Sequence, residues 1–214
     1  TFSKAIKIYP EFAEAYNNLG TSLSNQKKYT QAIQCFEKSL DINLDPNRYF
    51  DLGKIYEAKG DHQKALKFYS KTIEIKPHHA DALNNMGAIF LTLRKPEEAI
   101  KKFNVALQID PNNVDFILNL GIAQSNIRDY NGAISTYKTA LNLNTNCEEI
   151  HKKLGYAFDK IDEISKAIIS FETALKIKPQ DPEALAQLYF LKKKTCDWDG
   201  SKEFDYFLEK FGIL

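Results

Sequence analysis

Apolar residues recur along most of this chain at i, i+3, i+4 and i+7, the spacing that lines one face of an α-helix. Between residues 80 and 113 they fall at Leu83, Met86, Phe90 and Leu93, and again at Ala99, Ile100, Phe103 and Leu107. A break separates the two runs, so the segment reads as two amphipathic helices joined by a short turn. The same pair of patterns returns at a fixed interval. Gly20, Gly53, Gly87, Gly121 and Gly155 are spaced by 33, 34, 34 and 34 residues. Leu or Met precedes each glycine (Leu19, Leu52, Met86, Leu120, Leu154), and twelve residues after each comes an alanine (Ala32, Ala65, Ala99, Ala133, Ala167). Four residues beyond each alanine stands an aromatic: Phe36, Tyr69, Phe103, Tyr137 and Phe171. Residue classes aligned in this way across five units are internal repeats, which decide an architecture before any local element does.

Numbered from the start of its first helix, each unit fits one register: 13–45 (one residue short), 46–79, 80–113, 114–147 and 148–181. Residues 1–12 read as the end of a preceding unit, with Phe2, Ala5, Ile6 and Pro10 at repeat positions 24, 27, 28 and 32. Thr1 then falls inside a repeat and no initiator Met is present, so the chain reads as a piece of a longer one. Residues 182–214 read as a degenerate last unit. Leu185 and Leu188 keep the pattern, but Tyr189 stands at the glycine position and Lys192 at an aromatic one. Its second helix keeps Phe204, Phe207, Leu208 and Phe211 only if one residue is deleted from the register. Such a unit is expected either as a terminal cap, whose outer face must tolerate water, or as the junction to another domain.

The recurring residues have physical reasons. Glycine at position 8 and alanine at position 20 leave room for two helices to approach, and a bulky side chain there is expected to cost ~1–3 kcal/mol by overpacking. Proline near position 32 ends the second helix. Leu44 and Thr145 replace it in two units, where Asp45-Pro46 and Asn144-Thr145-Asn146 still carry turn chemistry. His151 takes a position usually held by a large apolar residue.

Two units spell the pattern out. One runs Tyr49-x2-Leu52-Gly53-x2-Tyr56, Ala65-x3-Tyr69, Pro77, and the next Leu83-x2-Met86-Gly87-x2-Phe90, Ala99-x3-Phe103, Pro111. They resemble the tetratricopeptide repeat, whose signature is W-x2-L-G-x2-Y, then A-x3-F, then P. The resemblance covers essentially the whole chain, 1–214, as a single array. It implies an all-α fold: an α-solenoid of stacked antiparallel helix pairs, curled into a superhelix whose concave face is lined by the first helices. In that family, ligands are usually held by first-helix positions 2, 5, 6, 9, 12 and 13.

Carried onto this sequence, position 6 holds Asn18, Asp51, Asn85, Asn119, Lys153 and Gln187, a column made mostly of amides. Asn84 stands at position 5, Asp81 and Asp115 at position 2, and Ile122 and Tyr156 at position 9. These residues are the implied peptide-binding set. An asparagine offers donors and an acceptor, so it can bond a peptide backbone without reading its sequence. Asn is a poor helix former, so its repetition points to binding; the alternative is a tolerated surface residue. Acidic residues in a first helical turn are favoured by the helix dipole in any case. The apolar residues at position 9 serve either a ligand's side chains or the contact between neighbouring first helices.

Charge and motifs narrow the function. With 29 Lys+Arg against 28 Asp+Glu, the net charge of +1 carries no nucleic-acid or anionic-membrane footprint. No stretch approaches ~18 consecutive apolar residues, and no signal-peptide pattern opens the chain. Cys35, Cys147 and Cys196 are widely separated and odd in number, which fits neither a disulfide framework nor a zinc site. A reducing, cytoplasmic setting is expected. No Walker loop, GxGxxG, GxSxG or HExxH occurs. His78-His79 reads as a solvated turn, His62 and His151 as structural, and Cys35 has no flanking base. The chain is therefore expected to carry no catalytic residue, no metal and no cofactor, and to bind protein or peptide segments; its oligomeric state is left open.

Two function classes follow. One is the substrate-recruiting region of a larger enzyme: the amide column is similar to that of O-GlcNAc transferases, and Cys196-Asp197-Trp198 is similar to a tripeptide where their repeat array ends. In that reading the catalytic domain lies beyond Leu214. The other is a non-enzymatic adaptor that assembles a complex. Within the adaptor class, a clamp for C-terminal carboxylates is not expected. Such clamps place basic residues at positions 2 and 6 of one repeat and a Lys/Asn pair at positions 5 and 9 of another, whereas position 2 here is acidic in five of six units (Glu14, Asp81, Asp115, Glu149, Glu183).

Overall fold

The structure is a computed structural model and describes residues 2–195. Among the described residues there are twelve helices and no strand. In chain order they are α1 (Phe2–Ile8), α2 (Ala13–Asn25), α3 (Tyr29–Ile42), α4 (Pro46–Ala58), α5 (His62–Ile75), α6 (Ala80–Thr92), α7 (Pro96–Ile109), α8 (Val114–Asn126), α9 (Tyr130–Leu143), α10 (Glu148–Lys160), α11 (Ile164–Ile177) and α12 (Pro182–Lys194). The fold is an all-α solenoid of antiparallel helix pairs. The helices fall into two compact units, which divide at Pro111–Asn112. In the first, α2 packs on α3, α4 on α5 and α6 on α7, while α3 meets α4 and α5 meets α6. In the second, α8 packs on α9 and α10 on α11, with α9 against α10 and α11 against α12.

Local chemistry sets the helix ends. The first helices of four repeats are capped by a side chain at the preceding residue. Asp45 accepts from the Asn47 amide (2.8 Å) ahead of Pro46, Asn113 from Phe116 (3.3 Å), and Asp181 from Ala184 (2.9 Å) ahead of Pro182. The fourth cap is His79, whose Nδ1 accepts from the Ala82 amide at 3.3 Å. His79 is 8% exposed and lies 4.6 Å from the Phe50 ring, so it is a buried cap and not the solvated turn expected of His78-His79. Burial pulls its imidazole below the ordinary value, which keeps Nδ1 available as an acceptor.

The first helices of the five full repeats end in the same way. The residue at position 15 has positive φ: Lys27 (59°), Gly60 (76°), Arg94 (57°), Arg128 (64°) and Asp162 (61°). The next amide bonds back to position 11, as in Lys95 N to Phe90 O at 2.8 Å and Asp129 N to Gln124 O at 2.9 Å. This is the Schellman closure, which favours glycine because a Cβ in the left-handed region costs ~1–2 kcal/mol. Only Gly60 meets that preference. Leu93, placed on the apolar stripe by its spacing, is drawn into this turn as the cap residue of α6 and is 40% exposed. The second helices stop at position 30, two residues ahead of the proline that the chain cannot carry in a helix. Where Thr145 replaces that proline, the Asn144 side chain accepts from the Asn146 amide (3.2 Å), supplying the expected turn chemistry.

The core of each pair is a ring lying on bare backbone. Phe36, Tyr69, Phe103, Tyr137 and Phe171 are essentially fully buried, as are Ala32, Ala65, Ala99, Ala133 and Ala167. A Cβ built on Gly87 would meet the Phe103 ring at 2.5 Å, and one on Gly155 the Phe171 ring at 2.6 Å. On Gly53 and Gly121 it would run into the rings of Tyr69 and Tyr137. At Gly20 the nearest ring atom of Phe36 is 3.1 Å away, so that joint is looser. At the other end of the pair the chains are close enough for Ser39 Oγ to donate to the Ala13 carbonyl at 2.7 Å. The second helix expected around 200–211, with Phe204, Phe207, Leu208 and Phe211, lies outside the described residues.

Two stability tests follow. Helix propensity alone favours Gly→Ala by ~1 kcal/mol, whereas overpacking opposes it by ~1–3 kcal/mol. Gly121→Ala is expected to lower the melting temperature and Gly20→Ala to leave it nearly unchanged or raise it; equal effects in thermal denaturation would refute the difference in ring clearance. Arg94→Gly is expected to stabilise by about 0.5–1 kcal/mol through relief of the left-handed turn, net of the entropy glycine costs, read as a rise in the urea midpoint.

Candidate functional site

In the first unit the ring tips at position 24 reach the face formed by the first helices. Tyr69 Oη donates to Glu57 Oε2 (2.5 Å, position 12 of the same repeat) and accepts from Asn85 Nδ2 (3.2 Å, position 6 of the next). Burial, then the Glu57 carboxylate, pushes the Tyr69 phenol far above its ordinary value, so it stays a neutral donor. Asn84 Nδ2 in turn donates to Asn85 Oδ1 at 3.4 Å. Asn85 thus does structural work in joining two repeats. Asp51, also at position 6, pairs with Lys54 at 2.7 Å. Asn18 and Asp81 are exposed.

In the second unit the first-helix face is organised around a buried cation. Lys152, at position 5 of α10 and 6% exposed, places Nζ 3.1 Å from Asp181 Oδ2, 3.1 Å from Glu183 Oε2 and 3.2 Å from Glu149 Oε2. Burial pulls the ammonium down, but the three carboxylates outweigh it and its pKa ends above the ordinary value. Burial pushes Glu149 and Asp181 up. Hydrogen bonds from Lys153 and Lys152 to Glu149, and from the Ala184 amide, Lys152 and Lys178 to Asp181, reverse this and leave both carboxyls below their ordinary values. Glu183, held by Lys152 and Tyr156, is lowered as well.

Two of the expected binding residues of this unit are drawn into the same network. Lys153 pairs with Glu149 at 3.0 Å. Tyr156 Oη donates to Glu183 Oε1 at 2.9 Å, and its ring meets Phe171 edge-on at 5.2 Å. Burial and Glu183 push the Tyr156 phenol up to about 12. Asp115 is exposed, and Asn119 and Ile122 are half-buried. Lys152 was missed because it has no counterpart at position 5 elsewhere, where Asn17, Phe50, Asn84 and Leu118 stand. Its signal was available in the register: one lysine at position 5 between acids at positions 2 and 34 of its own repeat and 2 of the next.

No helix among the described residues is long and apolar enough to cross a membrane. Among those residues no group of three His, Cys, Asp or Glu side chains is placed to hold a metal. Burial pushes the Cys35 thiol up, away from the reactive thiolate.

Models of the tetratricopeptide repeat match residues 11–78, 49–112, 90–155 and 150–181. The chain belongs to the tetratricopeptide repeat family. Among curated proteins it is similar to the BBSome complex member BBS4 of Bos taurus, 30% identical over 92 residues that make up 43% of this chain and 18% of that protein. It is also similar to the photosystem I assembly protein Ycf3 of Rippkaea orientalis, 29% identical over 94 residues, 40% of this chain and 54% of that one. The matched region thus spans 18% of the one relative's length and 54% of the other's. Among solved structures, YrrB, described as a TPR protein with an unusual peptide-binding site, shares the fold at a TM-score of 0.74 and 20% identity, covering 87% of this chain and 96% of its own.

In this tetratricopeptide array the Lys152 cluster fixes how α12 seats on the preceding pair. Lys152→Ala leaves Asp181 buried with one cation fewer, and breaking a buried pair costs ~3–5 kcal/mol, so a clear fall in melting temperature is expected. The acids have depressed folded-state values, so their contribution is complete above their ordinary values near pH 4 and is lost as pH falls through the lowered ones. Stability of the native chain is therefore expected to drop below about pH 4, with a shallower drop in Lys152→Ala. Parallel acid profiles for the two proteins would show that the cluster does not carry this dependence.

Proposed function

We propose that this tetratricopeptide chain is an adaptor scaffold that holds extended protein segments against its first-helix faces. The observation that carries the reading is the contrast along those faces. Asn85, Lys153 and Tyr156 are engaged with neighbouring repeats or their own helix, while Asn18, Asp81 and Asp115 are exposed polar side chains in the same family-defined ligand positions. Asn18 and Asp81, with Asn84, form the proposed contact set of the first unit, and Asp115, with Asn119 and Ile122, that of the second; Asp51 and Asn85 shape the face of the first, Lys153 and Tyr156 that of the second. The names of the relatives agree with a scaffold: BBS4 is a member of a complex and Ycf3 an assembly protein. A cytoplasmic setting belongs to the same proposal.

The acidic first turns favour partners without clustered negative charge. A clamp for C-terminal carboxylates is disfavoured further by Lys152, whose ammonium already faces three carboxylates. The alternative of a region recruiting substrates to a glycosyltransferase rested on the amide column and on Cys196-Asp197-Trp198. Tyr69 now accounts for Asn85 of the column, and the tripeptide lies outside the described residues, so the adaptor reading is the one carried forward.

The test uses a peptide selected by display on this chain, with binding followed by fluorescence anisotropy. Removing the three exposed side chains in Asn18→Ala/Asp81→Ala/Asp115→Ala forfeits hydrogen bonds worth ~1 kcal/mol each, and at least a tenfold loss of affinity is expected with the melting temperature little changed. Asn85→Ala is expected to lower the melting temperature instead. Full affinity in the triple variant would overturn the assignment.

A further inference from the structure

The residue at position 24 alternates along the chain: Phe36, Tyr69, Phe103, Tyr137, Phe171. Where it is tyrosine, the hydroxyl fills the seam beside its own first helix. Tyr69 Oη bonds Glu57 and Asn85, and Tyr137 Oη lies 3.3 Å from Ser125 Oγ, at position 12 like Glu57. In the first full repeat the ring is Phe36, which has no hydroxyl. The partners that a hydroxyl would meet are nevertheless present, Ser24 at position 12 and Asp51 at position 6 of the next repeat. A cavity of about 250 Å³ opens there between α2 and α4, lined by Thr21, Ser24, Asn25, Phe36, Asp51 and Lys54 among others. It lies wholly within the first compact unit. The looser joint at Gly20, where ring and backbone are less tightly pressed, belongs to the same repeat.

We propose that this cavity is a subsite for a tyrosine side chain of the bound partner, whose phenol takes the place that Tyr69 fills from within in the next repeat. This rests on the reading of the first-helix face as the binding surface, and names one side chain it selects. The chemistry argues for a phenol over the other candidates. An aromatic ring suits the apolar floor around Phe36, and its hydroxyl donates to Asp51 while exchanging a hydrogen bond with Ser24. A phenylalanine would desolvate Asp51 and Ser24 without replacing their bonds to water, which is costly for a carboxylate. A lysine would bring a second ammonium beside Lys54, which already stands 2.7 Å from the Asp51 carboxylate. The cavity is open at the surface, so the occupant enters as a side chain of an extended segment.

The test titrates N-acetyl-tyrosinamide and N-acetyl-phenylalaninamide into the 15N-labelled chain, following amide shifts by NMR. Saturable shifts at Ser24, Asn25, Asp51 and Lys54 are expected, with the tyrosine amide binding several-fold more tightly. Phe36→Tyr, which other repeats of this chain accommodate, is expected to place a hydroxyl in the cavity, abolish those shifts and hold or raise the melting temperature. Asp51→Asn is expected to narrow the difference between the two amides while the chain stays folded. Absence of shifts, equal binding of the two amides, or binding that survives Phe36→Tyr would each overturn the subsite. A display-selected peptide that loses affinity in the triple variant but keeps it in Phe36→Tyr would sink the subsite alone and leave the scaffold reading standing.

Discussion

A ring resting on a helix position that lacks a Cβ sets the distance between the two helices of each of the five full repeats. The contact is too close to slide: at Gly53, Gly87, Gly121 and Gly155 a single added carbon would collide with the aromatic of the partner helix. Because the ring is held there, its tip has nowhere to go but the seam that opens on the first-helix face. The chemistry of that seam then depends on one atom, a hydrogen in phenylalanine or a hydroxyl in tyrosine. From this one constraint come the buried core, the ties of Tyr69 to Glu57 and Asn85, and the cavity beside Phe36.

The two compact units solve the problem of a polar face differently. In the first, the Tyr69 phenol donates to the Glu57 carboxylate of its own repeat and accepts from Asn85 of the next, joining the two, and the charged pair of Asp51 and Lys54 stays near solvent, where it contributes little. In the second, Lys152 gathers acids from α10, α12 and the turn between α11 and α12. A buried ion pair adds little net stability over an apolar one, but it penalises misplacement strongly. Its effect is therefore to specify how α12 docks more than to strengthen the docking.

What was legible in the sequence was whatever repeats. Glycine at 8, alanine at 20, the aromatic at 24 and the stop near 32 appear five times or nearly so, and the structure places each as the period implied. Features that occur once escaped. Lys152 is buried among acids only because three neighbours in one repeat step happen to be acidic, and an average over repeats hides that. His79 looked like half of an exposed pair, yet its place before α6 is a capping position, and the Phe50 ring covers it. Leu93 kept the helical spacing but stood where the chain must turn. The amide column was visible, though the tie of Asn85 to Tyr69 was not, because it depends on the ring of the preceding repeat carrying a hydroxyl.

The interhelical turns have a consequence of their own. Lys27, Arg94 and Arg128 hold a backbone shape that suits glycine, at a penalty of ~1–2 kcal/mol each. In a linear array where energies add locally, the net relief of about 0.5–1 kcal/mol per site adds over the three positions to about 1.5–3 kcal/mol, a sizeable share of the ~5–15 kcal/mol that separates a folded domain from its unfolded chain. The residues at these turns are exposed to solvent. The molecule therefore has an adjustable rim, where its durability can be tuned by single residues that lie outside the family-defined ligand positions.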